Sequence, residues 1–186
     1  MNLKDRPVWR EIYLHRLAHN LQEVRNRIGG GPDIMAVVKA DAYGHGAVPV
    51  ARTAVEAGAS RIAVALVEEG VELRKAGLEV PVQAMAAFAP EQIDLALDHN
   101  IILTVGSHAL AKEVGRRART QGMEARVHVK VDTGMGRYGP LPEEGVDLAE
   151  EVYRTPGLIL EGLMSHMAAA DERDKSISQE QYRRFN

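Results

Sequence analysis

The sequence predicts an α/β fold, an incomplete (β/α)8 TIM-type barrel with about six of its eight strands, occupying residues 1–186 as one domain. Three observations predict it. From Asp33 onward, short apolar runs alternate with longer amphipathic segments, the rhythm of βα units laid on a parallel sheet. Glycines and prolines fall between the segments and leave no linker or low-complexity stretch, so the rhythm is unbroken. Lys39, Lys130, Arg137 and His166 all lie at or just past the carboxyl ends of different apolar runs, where a barrel gathers its chemistry. A doubly wound dinucleotide sheet would instead lead its first strand into Gly-x-Gly-x-x-Gly. Lys39-Ala-Asp-Ala-Tyr-Gly-His-Gly lacks that spacing. A complete barrel typically takes about 250 residues, so two strands are expected to be missing here.

Each element follows from its pattern. Pro7 to Leu14 alternates apolar and polar residues and reads as a short leading strand, with proline at its start. His15 to Ile28 reads as a helix, because Leu17, Leu21, Val24 and Ile28 share one face and Gly29-Gly30-Gly31-Pro32 ends it. Ile34 to Val38 is a continuous apolar run, the mark of a strand covered on both faces. A helix over Ala47 to Ala57 follows. The next pairs are strand Arg61 to Val67 with helix Glu68 to Ala76, and strand Pro81 to Met85 with helix Pro90 to Asp98. Strand Ile101 to Val105 precedes a helix capped by Ser107 and reaching Ala118. Strand Ala125 to Val131 precedes helix Pro142 to Arg154. Strand Leu158 to His166 leads to a last helix from about Ser178 to Asn186. With the barrel open, the first and sixth strands are expected to be edges, and Val37, Val38, Leu160 and Leu163 to lose cover.

Composition narrows the function. A net charge of −3 and the lack of a long basic run argue against nucleic acid and anionic membrane as partners. With no cysteine there is neither a disulfide framework nor a thiolate metal site, and no stretch approaches the length of an apolar membrane span. No zinc, P-loop or nucleophile-elbow motif appears, and His15 and His19, four apart on one helix, lack a third ligand and read as a solvated face. No metal is expected. A soluble, cytoplasmic protein is the plain expectation.

The segment that carries the chemistry is Ile34 to Gly46. An apolar strand ends in Lys39, and an amine at that end of a parallel sheet is placed to act as nucleophile or base. Lys39-Ala-Asp-Ala-Tyr-Gly-His-Gly resembles the pyridoxal-phosphate lysine motif of the alanine racemase family. Val127-His-Val-Lys-Val-Asp-Thr-Gly-Met-Gly-Arg137 and Gly162-Leu-Met-Ser-His166 extend the resemblance in the expected order over essentially the whole chain. The opening is similar to the family's Trp-x-Glu-Ile-Asp-Leu, with Tyr13 in place of the aspartate.

The resemblance implies roles for six residues. Lys39 would hold pyridoxal 5′-phosphate as a Schiff base and serve as one of two proton-transfer bases, and Tyr43 would bond the phosphate. Arg137 would contact the substrate carboxylate. Lys130 aligns with a lysine that some members carry as a carbamate. His166 would sit beside the cofactor, and Met85 falls where the family has an aliphatic residue against it. The implied activity is interconversion of L- and D-alanine, supplying peptidoglycan, in a homodimer whose second base is a tyrosine of a C-terminal β domain. That domain is expected to be absent here, which would leave these residues inactive alone. The alternatives are a non-catalytic single-barrel protein that binds the cofactor, and a racemase of another amino acid.

Overall fold

The computed structural model describes residues 8–186. The elements are α1 (Leu14–Ile28), β1 (Met35–Val37), α2 (Lys39–Gly44), α3 (Ala47–Glu56), β2 (Arg61–Val64), α4 (Val67–Lys75) and β3 (Val82–Ala84). A 3-10 turn (Pro90–Gln92) leads into α5 (Ile93–Asp98), followed by β4 (Ile101–Val105), α6 (His108–Thr120), β5 (Ala125–Lys130), α7 (Pro142–Arg154), β6 (Leu158–Met164) and α8 (Ser176–Phe185). Ser107 caps α6 as expected, its Oγ accepting the Leu110 N–H at 3.3 Å.

The strands form one sheet in the order β1-β2-β3-β4-β5-β6, with every neighbouring pair parallel. A doubly wound sheet would reverse direction part-way, so this order is that of a barrel wall. Side chains inside the sheet show that the wall curls. Arg61 on β2 pairs with Glu161 on β6, and Gln83 Nε2 on β3 lies 3.2 Å from Met164 Sδ on β6. In a flat sheet, β2 and β6 would stand four strand spacings, roughly 19 Å, apart. The outer set of strand side chains, Ile62, Val64, Val82, Leu103, Val105, Val127 and Val129, is buried in the core with Ala54, Val71, Ile93, Val114 and Leu148 of the helices. Each such side chain contributes roughly 1.5–3 kcal/mol.

Several expectations are corrected. Residues 8–13 form no strand, and Leu14 already belongs to α1; Pro7 lies outside the described residues. The alternation there reflects a local polar cluster on one side of an extended segment: Trp9 Nε1–H and the Tyr13 hydroxyl both donate to Glu11, at 2.9 and 2.6 Å. β1 is not covered on both faces: Met35 and Ala36 are half-buried and Val37 is 39% exposed. Val38, in contrast, keeps its cover at 1% exposure, with its N–H donated to Ala63 O at 2.8 Å. β2 and β6 end earlier than expected. Val67 opens α4, and His166 lies two residues beyond β6. No helix among the described residues is long and apolar enough to cross a membrane.

Candidate active site

Lys39 stands two residues past the end of β1, after Val38, and opens α2, a turn of unusual hand. Ala40, Asp41, Ala42 and Tyr43 all have positive φ, between 51° and 56°, with ψ between 34° and 53°. Left-handed backbone costs a non-glycine residue roughly 1–2 kcal/mol, so four in succession need strong local bonds to persist. They have them. The Ala40 N–H donates to Glu69 Oε1 at 2.6 Å, Ala42 N–H to Val38 O at 2.9 Å and Gly46 N–H to Asp41 O at 2.9 Å, while Asp41 Oδ1 accepts the Ala47 N–H at 2.7 Å. The residue types suit the turn: alanine is small, and a short carboxylate that bonds its own neighbourhood is among the side chains that tolerate this hand. The turn puts Lys39 and Tyr43 on one side, and Lys39 Nζ stands 5.9 Å from the centre of the Tyr43 ring.

A second loop, after β5, presents Arg137. Asp132 builds it. Its Oδ1 accepts the N–H groups of Gly134 and Met135 at 2.9 and 2.7 Å, and its Oδ2 accepts that of Arg137 itself at 2.8 Å. Burial alone would raise the Asp132 carboxyl, but these backbone donors outweigh it and hold the group well below the usual carboxylate range. Lys130 ends β5 beneath this loop, 5% exposed, with Nζ donating to Val131 O at 2.9 Å. Burial lowers the Lys130 pKa; Asp132 pulls it up and Arg137 pushes it down again, with a net shift downward. Gly139 lets the loop close on Lys130: its φ is +98°, and a Cβ there would stand 2.6 Å from Lys130 O.

His166, past β6, completes the group. Gln181 of α8, itself 2% exposed, donates to His166 O at 3.0 Å and to Thr133 Oγ1 at 3.2 Å, and so ties the loops after β5 and β6 together. Burial lowers the His166 pKa, and the charges of Arg137, Lys130 and Lys39 lower it further. These four residues line a cleft of about 410 Å³ together with Met85, Tyr138, Met164 and the small side chains of Ala65, Ala86 and Ala87. Tyr138 donates its hydroxyl to Thr104 O at 3.0 Å, and burial pushes its phenol up despite a backbone bond from Gly106. No carboxylate lines the cleft among the described residues. Such a pocket is electropositive, with a small apolar floor, and suits a flat ligand carrying anionic groups.

Of the six residues singled out in the sequence, the structure brings Lys39, Met85, Lys130, Arg137 and His166 into one cleft. Tyr43 stands apart at 59% exposure and lines a neighbouring groove against α1 with Tyr13 and Arg16. Sequence reasoning missed Glu69, Gln181 and Tyr138 and gave Asp132 no role. Asp132 carried the one available signal, an aspartate ahead of a glycine-punctuated turn.

Comparison with known proteins identifies the family. A racemase named alanine racemase from Desulforamulus reducens is 51% identical over 180 residues, covering 96% of this chain and 49% of the relative. The alanine racemase of Clostridium difficile 630 in complex with cycloserine superposes with a TM-score of 0.93 at 36% identity, over 97% of this chain and 50% of that one. A histidine racemase from Leuconostoc mesenteroides subsp. sake superposes at 0.87 with 28% identity, over 92% and 46%. The chain therefore spans about half the length of the curated relatives it matches. The family model described as alanine racemase, N-terminal domain, matches residues 12–186, and the chain belongs to that family.

Proposed function

We propose that the chain forms the lysine-bearing part of a pyridoxal-phosphate-dependent alanine racemase, interconverting L- and D-alanine in the cytoplasm for peptidoglycan supply. The observation that carries this is the convergence of Lys39, Lys130, Arg137 and His166 on a cleft that no described carboxylate lines. The residues fit the cofactor: a free amine at a strand end, cationic walls for its anionic groups, and an alanine floor wide enough for a flat ring. When bound, pyridoxal phosphate supplies an electron sink for the carbanion at the amino acid's α-carbon.

The chain's own residues do the rest. Lys39 would hold the cofactor, and its amine would move the proton at the α-carbon on one face. Arg137, fixed by the Asp132 loop, clamps the substrate carboxylate with its planar fork. Lys130, its pKa lowered by burial, is suited to add carbon dioxide as a carbamate whose charge then orients Arg137. Burial, and then the charges of Arg137, Lys130 and Lys39, lower the pKa of His166, which would sit beside the bound cofactor. Tyr43, whose ring centre lies 5.9 Å from Lys39 Nζ, would bond the cofactor phosphate from beside the cleft, as the resemblance implies. Tyr138 is the one tyrosine lining the cleft among the described residues, and its hydroxyl is already engaged. As the family resemblance implies, the second base would be a tyrosine of a C-terminal β domain, contributed by the partner subunit of a full-length homodimer.

Adding pyridoxal phosphate, reducing with borohydride and mapping peptides tests the assignment: label is expected at Lys39, and label spread over surface lysines with Lys39 unmarked rejects it. The histidine racemase among the neighbours makes the preferred amino acid the second measurement, and a full-length protein that favours histidine over alanine would move the substrate reading.

A further inference from the structure

Glu69 lies on the first turn of α4, outside the cleft, yet it bonds to the residue that follows Lys39. Its Oε1 accepts the Ala40 N–H at 2.6 Å, and its Oε2 accepts the N–H groups of Ala65 at 2.8 Å and Leu66 at 3.0 Å. One carboxylate thus joins the carboxyl ends of β1 and β2. Ala40 begins the left-handed turn, where a backbone N–H has no carbonyl of its own turn to meet. Ala65 lines the cleft. All three partners are donors, so an acceptor is needed on both oxygens, and only a carboxylate provides that.

We propose that Glu69 is the positioning residue of Lys39: its carboxylate fixes the first residue of the left-handed turn and with it the direction in which the amine leaves the sheet. The inference rests on the reading of Lys39 as the cofactor-bearing lysine. The turn itself is conformationally costly, and a charged acceptor at its first N–H is what keeps it from relaxing to a right-handed path that would carry Nζ elsewhere. The rival role is helix capping alone, because Leu66 at the α4 N-cap has no side chain able to cap and Glu69 takes its N–H instead.

Three variants of the 186-residue chain separate the roles: Glu69→Ala, Glu69→Gln and the double change Leu66→Ser with Glu69→Ala. Serine is a strong N-cap residue and restores the cap without reaching Ala40. Three readouts are taken: hydrogen exchange at the Ala40 amide without cofactor, the rate of borohydride-fixed pyridoxal phosphate labelling at Lys39, and the thermal midpoint. Glu69→Ala is expected to lower protection of Ala40 by roughly 10- to 100-fold, the range for a bond to a charged acceptor, and to slow labelling at Lys39. Glu69→Gln is expected to do so in part, since its amide turns a donor toward a donor. The double variant recovers the thermal midpoint but neither the Ala40 protection nor the labelling rate. Unchanged Ala40 protection in Glu69→Ala, unchanged labelling despite lost protection, or labelling that recovers with the serine cap would each overturn the proposal. If the parent chain is not labelled at Lys39, the cofactor reading fails by itself, and Ala40 exchange still decides whether Glu69 holds the turn.

Discussion

Asp132 and Lys130 sit two residues apart and are buried alike, yet their chemistry diverges because of what each bonds. Asp132 meets three backbone donors and stays charged; Lys130 meets one carbonyl, and its burial, with Arg137 nearby, disfavours its charged form. The folded pKa of Asp132 lies below its ordinary value of 3.8. Its contribution to stability is therefore complete above that value and is lost as pH falls through the depressed folded one. Asp132→Asn is expected to cost about 2 kcal/mol at neutral pH, to weaken acid sensitivity, and to reduce carboxylate binding by Arg137, as read by urea unfolding at several pH values beside ligand titration. For Lys130 the slope has the same sign but the group is a penalty: its depressed folded pKa disfavours the charged amine on folding, a cost present in full below the folded pKa that fades as pH rises toward the ordinary 10.5. Its depressed folded pKa makes the neutral amine available at lower pH than for a free lysine, so at fixed dissolved carbon dioxide a carbamate should grow in as pH rises. Carbon-13 NMR with labelled bicarbonate should show the signal in the parent and lose it in Lys130→Arg. The cleft-lining Lys39, Lys130, Arg137 and His166 were legible in the sequence because such side chains are scarce at the ends of apolar runs. Glu69 and Gln181 were not, since a side chain whose work is to bond main-chain groups leaves no mark in composition or spacing.

Helix α7 was legible to its last residue, with Pro142 at the first turn and an amphipathic face ending at Arg154, whereas the turn carrying Lys39 was not. Its residues are alanine, aspartate and tyrosine, of which only the aspartate tolerates positive φ, and its hand is set by contacts with β2 and α4 that lie far along the chain. The leading strand failed for the opposite reason: Pro7 to Leu14 has a strand's alternation but no strand beside it to pair with among the described residues. The loop after β5 yields a sharper test. Gly139→Ala would place a methyl against Lys130 backbone at a φ that L-residues avoid, so it should destabilise by more than about 2 kcal/mol and move Arg137 out of the cleft. Thermal unfolding and a crystal structure of the variant check the two halves of that expectation.

At the scale of the molecule, β1 and β6 each keep one edge without a strand partner among the described residues, and Val37, Ile159 and Leu163 are 39%, 41% and 49% exposed there. Unpaired apolar edges are templates for other chains. The 186-residue chain is expected to self-associate through them, and a segment supplying the remaining strands should make it compact. Size-exclusion chromatography with light scattering, read beside hydrogen exchange, is the measurement; a sharp monomer with strong protection in both β1 and β6 contradicts the expectation. The order of elements around the wall was legible because each outer strand face is apolar and each helix matches it. The polar lining inside was not, since Gln83, Thr104 and His128 read from the sequence as breaks in apolar runs.

The pairing of Arg61 with Glu161, which also receives Arg126 Nε at 2.6 Å, spans 100 residues of chain. Every β pairing in this wall joins strands that are consecutive in sequence, so each can form as soon as its second strand exists. The ion triad cannot. It closes only after the intervening strands have stacked and curled, and the entropy of joining such distant ends is met last. A chain emerging from the ribosome would assemble its wall in order and hold Arg61 uncompensated until Glu161 arrives. Glu161→Gln should therefore leave the refolding rate nearly unchanged and speed unfolding, so that the loss appears almost wholly in one arm of the chevron.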